Sequence, residues 1–483
     1  MRKLFLTISL AVAPLALAQS TAGPDLILTN AKVFTADPNA PWAQAVAITG
    51  DHISAVGTSD QVKSIATDST KVIDAKGSLI IPGINVAHED ICLTPAVSTG
   101  SDAESNAEDI RAALANIVDE SPADMWITGT LGKAALDDLT FTTTSLDKVS
   151  QGRRVILVSA DGRVVMPNTA AMAALHVSDA KDPIGGSWQR DSTGRSTGKA
   201  LDYAGRNILR RWAEETDEEE ATQTLRAWAD NAAHLGITSA QIVSCMPFAR
   251  FEKLVRHASL PIRIRVINAP GTNSGGRNVD ELREMPKPAG ARAMLGVSGI
   301  EWSANFPKEE IAAILKEGAD ANQQILFDVS SNNAALLDAL KSADIKARRV
   351  RLEHADASPA LRDLGVVVVD PKSPRATLKS GVPIAFGPQP YNTIERLVTQ
   401  PKESITREQA LAAYTRGGAY AELTDDEKGV LAPGKVADLA VLSQDIFEIS
   451  PSRIPETTSW LTIIGGHVAY DAHVITPLPS KPR

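Results

Sequence analysis

The amino-acid sequence predicts an α/β protein built on a (β/α)8 TIM-like barrel. Helical patterns separate most of a series of short apolar runs, and most of these runs are followed by a polar residue. Strands that alternate with helices favour a parallel sheet, and eight strands favour a closed barrel of about 250 residues or more. The eight runs lie at 84–88, 237–243, 262–268, 293–300, 325–329, 350–354, 366–370 and 383–387.

The helical patterns have recognisable ends. The pattern at 218–235 stops at Gly236, and the pattern at 307–316 begins with a proline at a first-turn position. A third pattern at 406–414 closes the series. The long gap from about 95 to 225 lies between the first and second strands, so the sequence predicts an insertion after strand 1.

Both ends of the chain have the pattern of β structure. Strand-like segments near the N-terminus occupy 25–34, 45–48, 53–56 and 72–75, and further ones occupy 434–442 and 462–470. Neither piece is long enough to be a stable sandwich alone. We therefore predict an N-terminal β part at 19–80, the barrel at 81–428 and a C-terminal β part at 429–483.

Residues 1–18 are predicted to be a secretory signal peptide. Arg2 and Lys3 precede the apolar run 4–17, and Ala16 and Ala18 are small residues at the positions that favour cleavage. The run is too short to span a membrane. We expect an exported protein, periplasmic or extracellular, that is not held in a membrane after cleavage.

The net charge indicates which class of partner to expect, and the cysteine content bears on the redox compartment. A net charge of −9 and a pI near 5.5 argue against nucleic acid, which calls for a basic surface, and leave a small molecule as the expected partner. Cys92 and Cys245 are the only cysteines. They form either one disulfide in an oxidising compartment or two buried free thiols.

The most informative motif is the first barrel strand. It follows Pro82 and Gly83, and alternation places His88 and Asp90 on the same face. This stretch resembles the amidohydrolase superfamily, in particular amidohydrolase family 3, whose first strand ends in Pro-Gly-Phe-x-Asp-x-His-x-His. Here Asp90 replaces the second histidine. Further matching phrases lie at 30–33, 126–129, 161–169, 431–438 and 465–466, so that the resemblance covers nearly the whole mature chain.

The resemblance implies that the two terminal β parts join as one small β-sandwich beside the barrel. It also implies a metal site at the carboxyl ends of strands 1, 5 and 6, with a carboxylated lysine on strand 4 in some members. Strand 4 has no lysine here, although Glu301 lies just beyond it. The implied metal ligands are His88, Asp90, Asp328 and His354.

Three further positions follow from the same resemblance. Gln389 occupies the strand-8 slot where the family has its aspartate base, and an amide does not accept a proton near neutral pH. Asp161 and Arg163 lie in a phrase predicted to bind substrate, with Arg163 replacing the family's histidine. Asp161 and Asp370 are candidate substitutes for the base, but no motif places either of them there.

Two interpretations remain open at this point. In the first, the four ligands hold one divalent ion, Zn²⁺ or Mn²⁺, in an exported hydrolase that cleaves a non-peptide carbon–nitrogen bond of a small amide or cyclic amide, with activity weakened or lost. In the second, the barrel mouth keeps its polar residues without a metal. The protein is then a catalytically silent pseudo-enzyme that binds a small ligand.

Overall fold

The computed structural model describes residues 23–476, except for 95, 123, 280–284, 287–288, 304, 330–333, 344–348 and 356–357. The predicted signal peptide at 1–18 lies outside the described residues. Within the described ranges, no helix is both long enough and apolar enough to cross a membrane.

Eight parallel strands form the barrel, and they follow one another around the sheet in chain order. A hydrogen bond of 2.9 Å from the Ala87 amide to the Phe386 carbonyl joins the last strand to the first. These strands confirm the fold class, and each one overlaps one of the eight predicted apolar runs. They are β1 Ile84–Ile91, β2 Ile237–Ser244, β3 Arg263–Asn268, β4 Leu295–Ser303, β5 Ile325–Asp328, β6 Arg351–Glu353, β7 Val367–Val369 and β8 Ile384–Ala385.

Helices cover the barrel between these strands. The Asp217 side chain caps the first of them by accepting from the amides of Glu219 and Glu220, and that helix ends before Gly236, whose φ of +76° favours glycine. The helices that follow β1 and the insertion are Glu218–His234, Phe248–Ala258, Lys308–Asp320, Ala334–Ser342, Pro359–Asp363, Pro374–Lys379, Pro390–Thr399 and Arg407–Ala412, the last continuing through a π-helical turn, Ala413–Gly417, into Gly418–Ala421.

The insertion after β1 forms a six-stranded sheet of its own with helices on it. Its apolar core is separate from that of the barrel and includes Ile110, Phe141 and Leu157. The strands are Val97–Ser98, Ile127–Leu131, Val155–Ser159, Val164–Pro167, Gly186–Arg190 and Ser196–Asp202, and the helices are Ala107–Glu120, Lys133–Asp137, Thr143–Ser150, Thr169–Ala174 and Tyr203–Glu214. The last of these helices leads back to the barrel mouth.

The two chain ends form one β-sandwich. Strand Leu439–Leu442 pairs with Leu79–Pro82, so that the C-terminal strands extend a sheet begun by the N-terminal part. Buried residues of both parts, such as Val46, Ile80 and Leu461, share one apolar cluster. The remaining elements are Leu26–Thr29, Lys32–Phe34, Trp42–Ala43, Ala45–Thr49, His52–Gly57, Ser59–Lys63, Lys71–Asp74, Thr272–Asn273, Gly276–Arg277, Pro451–Glu456, Ser459–Ile464 and His467–Asp471.

Candidate active site

A cavity of about 250 Å³ lies at the carboxyl ends of the barrel strands, where barrel enzymes carry their chemistry. The insertion forms one of its walls, and the barrel strands form the others. Six of the seven site residues predicted from the sequence line it together: His88, Asp90, Asp161, Arg163, Asp328 and His354. A larger cavity, of about 660 Å³, lies between the N-terminal β part and the helices at 374–379 and 407–421, and no histidine lines it.

His88 lies within 4 Å of three carboxylates of the site. Its Nε2 lies 3.2 Å from Asp90 Oδ2, while its Nδ1 lies 3.4 Å from Glu353 Oε2 and 3.8 Å from Glu301 Oε2. Burial alone would lower the pKa of His88, but the charges of Asp90 and Glu353 outweigh it and hold that pKa well above its usual value. Asp90 and Glu353 thus favour the charged form of His88, although the Arg351 Nη2 also lies 3.5 Å from its Nδ1.

Asp90 faces the open side of the cavity. Its side chain is 76% exposed to solvent, in contrast to the 10% of His88. The surrounding protein disfavours ionisation, but the neighbouring charge of His88 outweighs this effect and lowers the pKa of Asp90. Because the side chain is so exposed, we attribute the lowered pKa to the contact with His88.

Asp328, at the end of β5, and His354, just after β6, form a second pair. The Nδ1 of His354 lies 3.4 Å from Asp328 Oδ1, and the Arg163 guanidinium donates to the same oxygen at 2.7 Å. The contact with Asp328 raises the pKa of His354. Burial would raise the pKa of Asp328, but His354 and Arg163 together lower it. Because Nδ1 faces Asp328, Nε2 is the ring nitrogen that this pair leaves unengaged, and the side chain is 44% exposed.

Two further carboxylates lie beneath these residues and are almost fully buried. Glu301, at the end of β4, accepts from Arg206 at 2.6 Å, and its second oxygen has no hydrogen-bond partner among the described residues. Burial raises the pKa of Glu301 even though Arg206 opposes it. Glu353, at the end of β6, accepts from Arg351 on the same strand. Burial disfavours its charge, but Arg351 and His88 lower the pKa of Glu353.

Gln389 is the predicted site residue that does not line the cavity. It follows β8, is exposed, and precedes the helix Pro390–Thr399 with a φ of +54°. Asp370, at the end of β7, accepts from the Gly387 amide at 3.1 Å, and burial raises its pKa while the charges of His88 and His354 oppose this effect. The role predicted for Gln389 stays a prediction.

Asp161 lines the cavity, but its side chain accepts hydrogen bonds within its own loop. Its Oδ1 accepts from the Ser159 hydroxyl at 2.6 Å and from the Arg163 amide at 3.2 Å. This turn directs the Arg163 side chain toward Asp328. Asp161 therefore shapes the wall of the cavity through Arg163, and its predicted contact with substrate remains a prediction.

Sequence reasoning did not assign a role to three charged residues at this site. Arg206 comes from the helix Tyr203–Glu214 of the insertion, and no motif marked it. Arg351 and Glu353 carried a usable signal, because two polar residues alternate with valine and leucine along an otherwise apolar strand. In a barrel strand, such alternation indicates side chains that point inward.

The donors at this site do not fit a divalent ion as they are arranged. In the part of the chain that the structure describes, no group of three or more His, Cys, Asp or Glu residues is placed to hold one. His88 already contacts the Glu353 carboxylate, and Asp328 already accepts from the Arg163 guanidinium. Zinc sites need neutral imidazoles and free carboxylates. The predicted set of four ligands is thus divided into two ion-paired couples.

The two cysteines are joined. Cys92 and Cys245 form a disulfide with a Cα–Cα distance of 5.2 Å, which resolves the alternative that the sequence left open. It links the segments that follow β1 and β2, and both cysteines line the cavity. The bond therefore fixes one side of the cavity rim.

Known proteins resemble this chain over most of its length. The N-substituted formamide deformylase of Arthrobacter pascens is 23% identical, with 92% of this chain and 98% of the relative covered. An uncharacterized metal-dependent hydrolase from Pyrococcus horikoshii has a similar structure, with a TM-score of 0.66, 15% identity, and coverage of 88% of this chain and 99% of that one. A triazine hydrolase variant has a TM-score of 0.55 at 15% identity, covering 92% and 94%.

The structural neighbours share the fold at low sequence identity. The model of the amidohydrolase family, by contrast, matches the sequence itself at residues 71–367 and 373–470, which takes in the barrel, the insertion and most of the C-terminal β part. Members of the family are generally metal-dependent, and this site departs from that pattern in its charge pairs. With this match over most of its length, the chain belongs to the amidohydrolase family.

Proposed function

We propose that the protein is an exported hydrolase that cleaves a non-peptide carbon–nitrogen bond in a small amide or cyclic amide. The observation that carries the proposal is the pairing of His354 with Asp328 at the strand ends, facing the cavity. Membership of the amidohydrolase family and the similarity to a formamide deformylase support the type of bond. The size of the cavity, about 250 Å³, suits a small substrate.

The residues present provide a route for hydrolysis. His354, oriented by Asp328, accepts a proton from water through its Nε2 as the water oxygen attacks the amide carbon. His88 and Arg206 place positive charge in the same cavity, where it stabilises the oxygen that becomes negative. The carbon–nitrogen bond then breaks, and His354 returns the proton to the leaving nitrogen. A linear amide gives a carboxylic acid and an amine, and a cyclic amide gives one ring-opened molecule that carries both groups.

Turnover of N-substituted formamides and cyclic amides by the mature protein tests this proposal. Replacing a general base typically costs about 10²–10⁴-fold in rate, so His354→Ala should lower kcat/KM by that factor. His257→Ala, an exposed position on the helix Phe248–Ala258, is the matched control and should leave kcat/KM unchanged. An active wild type whose His354→Ala variant is equally active would refute the role of His354.

Two observations favour the alternative, a pseudo-enzyme that binds a small ligand. Gln389, in the slot of the family's base, does not line the cavity, and two of the carboxylates that do line it, Glu301 and Asp328, are ion-paired with arginines. Saturable binding of the same amides, measured by calorimetry, with no turnover would support this alternative. It would also remove the hydrolytic proposal.

Export is the second part of the proposal. It rests on the signal-like sequence at 1–18, and the Cys92–Cys245 disulfide supports it because disulfides persist in oxidising compartments. Mass spectrometry of the secreted or periplasmic protein should find an N-terminus near Gln19. An intact Met1, or protein found only in the cytoplasm, would contradict export.

A further inference from the structure

Three neighbouring barrel strands end in a carboxylate that is bound by a guanidinium. Glu301 on β4 is paired with Arg206, Asp328 on β5 with Arg163, and Glu353 on β6 with Arg351. The Glu301 and Asp328 contacts measure 2.6 and 2.7 Å. Of the four metal ligands that the family resemblance implied, Asp328 lies on β5 and His354 follows β6, whereas His88 and Asp90 lie on β1.

A fourth carboxylate, Asp90, lies 3.2 Å from the imidazole of His88 on β1. The carboxylates of Glu301, Asp328 and Glu353 thus each face a guanidinium, and Asp90 faces an imidazole. Glu301 and Glu353 have side-chain exposures of 1% and 0%. A buried carboxylate of this kind is tolerated only when a partner compensates its charge. Here Arg206 and Arg351 supply that partner.

We infer that guanidinium groups stand in for the divalent ion of this family, and that the barrel mouth binds no such ion. Two of the three guanidiniums, Arg163 and Arg206, come from the insertion after β1. The insertion therefore closes one wall of the cavity and also neutralises the barrel's acidic strand ends. This inference is independent of the proposed function, because it concerns the charge balance of the site whether or not substrate is turned over.

The wild type provides the first test. The mature protein, purified without chelators, should contain well below one equivalent of zinc, manganese or iron by elemental mass spectrometry. EDTA should leave its Tm unchanged, and added ZnCl2 or MnCl2 should not raise it, since a ligand that binds only the folded state would raise Tm. One tightly held ion per chain, or a Tm that falls with EDTA and recovers with zinc, would overturn the inference.

The second test removes the guanidiniums. Arg163→Met with Arg206→Met leaves Glu301 and Asp328 without their cationic partners. This double variant should melt at a lower temperature than the wild type, and ZnCl2 should raise its Tm. Arg206→Lys, which keeps the positive charge, should remain indifferent to zinc.

Arg211→Met is the matched control on the same helix as Arg206. The Arg211 side chain donates to the backbone carbonyls of Leu175 and His176 and does not line the cavity, so its loss should create no response to zinc. If the wild type is metal-free and the Tm of the double variant also does not respond to zinc, the guanidiniums are not what keeps the ion out of the barrel mouth, and the inference is refuted. If the double variant fails to fold, a metal-free, EDTA-indifferent wild type supports the inference, and a metal-bound one overturns it.

Discussion

Removing the Cys92–Cys245 disulfide should destabilise the protein without rearranging the site. The two cysteines are 153 residues apart in sequence, and the bond encloses the whole insertion. Around it, β1 and β2 are already held in register, since the Ser244 hydroxyl donates to the Ile91 carbonyl at 3.0 Å. The native contacts therefore persist in Cys92→Ser with Cys245→Ser, and the effect arises mainly in the unfolded chain.

The loop length sets the size of the effect. The chain-entropy relation gives about 5 kcal/mol for a closed loop of 153 residues at 25 °C. Measured disulfides typically contribute about 2–4 kcal/mol, because unfolded chains keep residual structure. We therefore expect a loss of about 2–5 kcal/mol in the free energy of unfolding of the barrel and insertion.

Urea denaturation followed by tryptophan fluorescence measures this loss. The double serine variant should unfold at a lower urea concentration than the oxidised wild type, and the reduced wild type should match the variant. Alkylation of the native, unreduced protein should find no free thiol. Two reactive thiols in the native protein, or equal urea midpoints for variant and oxidised wild type, would refute the reasoning.

Three further changes test other contacts. Asp438→Ala leaves the buried Arg263 guanidinium unpaired where the barrel meets the sandwich, and should cost about 3–5 kcal/mol in urea denaturation. Gly387→Ala would place a Cβ 2.6 Å from the Asp370 carboxylate, so we expect a loss of about 1–3 kcal/mol. Gly290→Ala should be neutral, because among the described residues the nearest atom to its new Cβ is Glu427 Oε1 at 3.8 Å. Burial lowers the pKa of Lys199 to about 8, so wild-type stability relative to Lys199→Met should rise from pH 8 to 10.5.

Each of these expectations has a control or a contradicting outcome. Glu456→Ala breaks an exposed pair with Arg453, and should cost at most about 1 kcal/mol. An equal loss in Asp438→Ala would show that the buried pair is no stronger. For Lys199, the unfolded state binds more protons than the folded state between pH 8 and 10.5, so stability rises with pH; a flat difference between wild type and variant across this window would contradict the lowered pKa.

The barrel was predictable because its signal is local. Each strand is a short apolar run, as at 237–243 and 366–370, and a buried parallel strand needs such a run whatever surrounds it. Helix ends were predictable for the same reason, since Gly236 must adopt a positive φ and Pro307 lacks an amide to donate. The positions of His88, Asp328 and His354 at one mouth follow from parallel strands ending at the same face.

The sequence by itself determined the barrel and the β parts at both ends, because apolar periodicity depends only on neighbouring positions, and its resemblance to a known family implied six residues of the cavity. Only the tertiary structure decided which charges meet. Arg206 reaches Glu301 across 95 residues and Arg163 reaches Asp328 across 165. The charge state of His88 depends on carboxylates from other strands. Electrostatic pairing depends on distance in space and on burial, and a linear sequence specifies neither quantity.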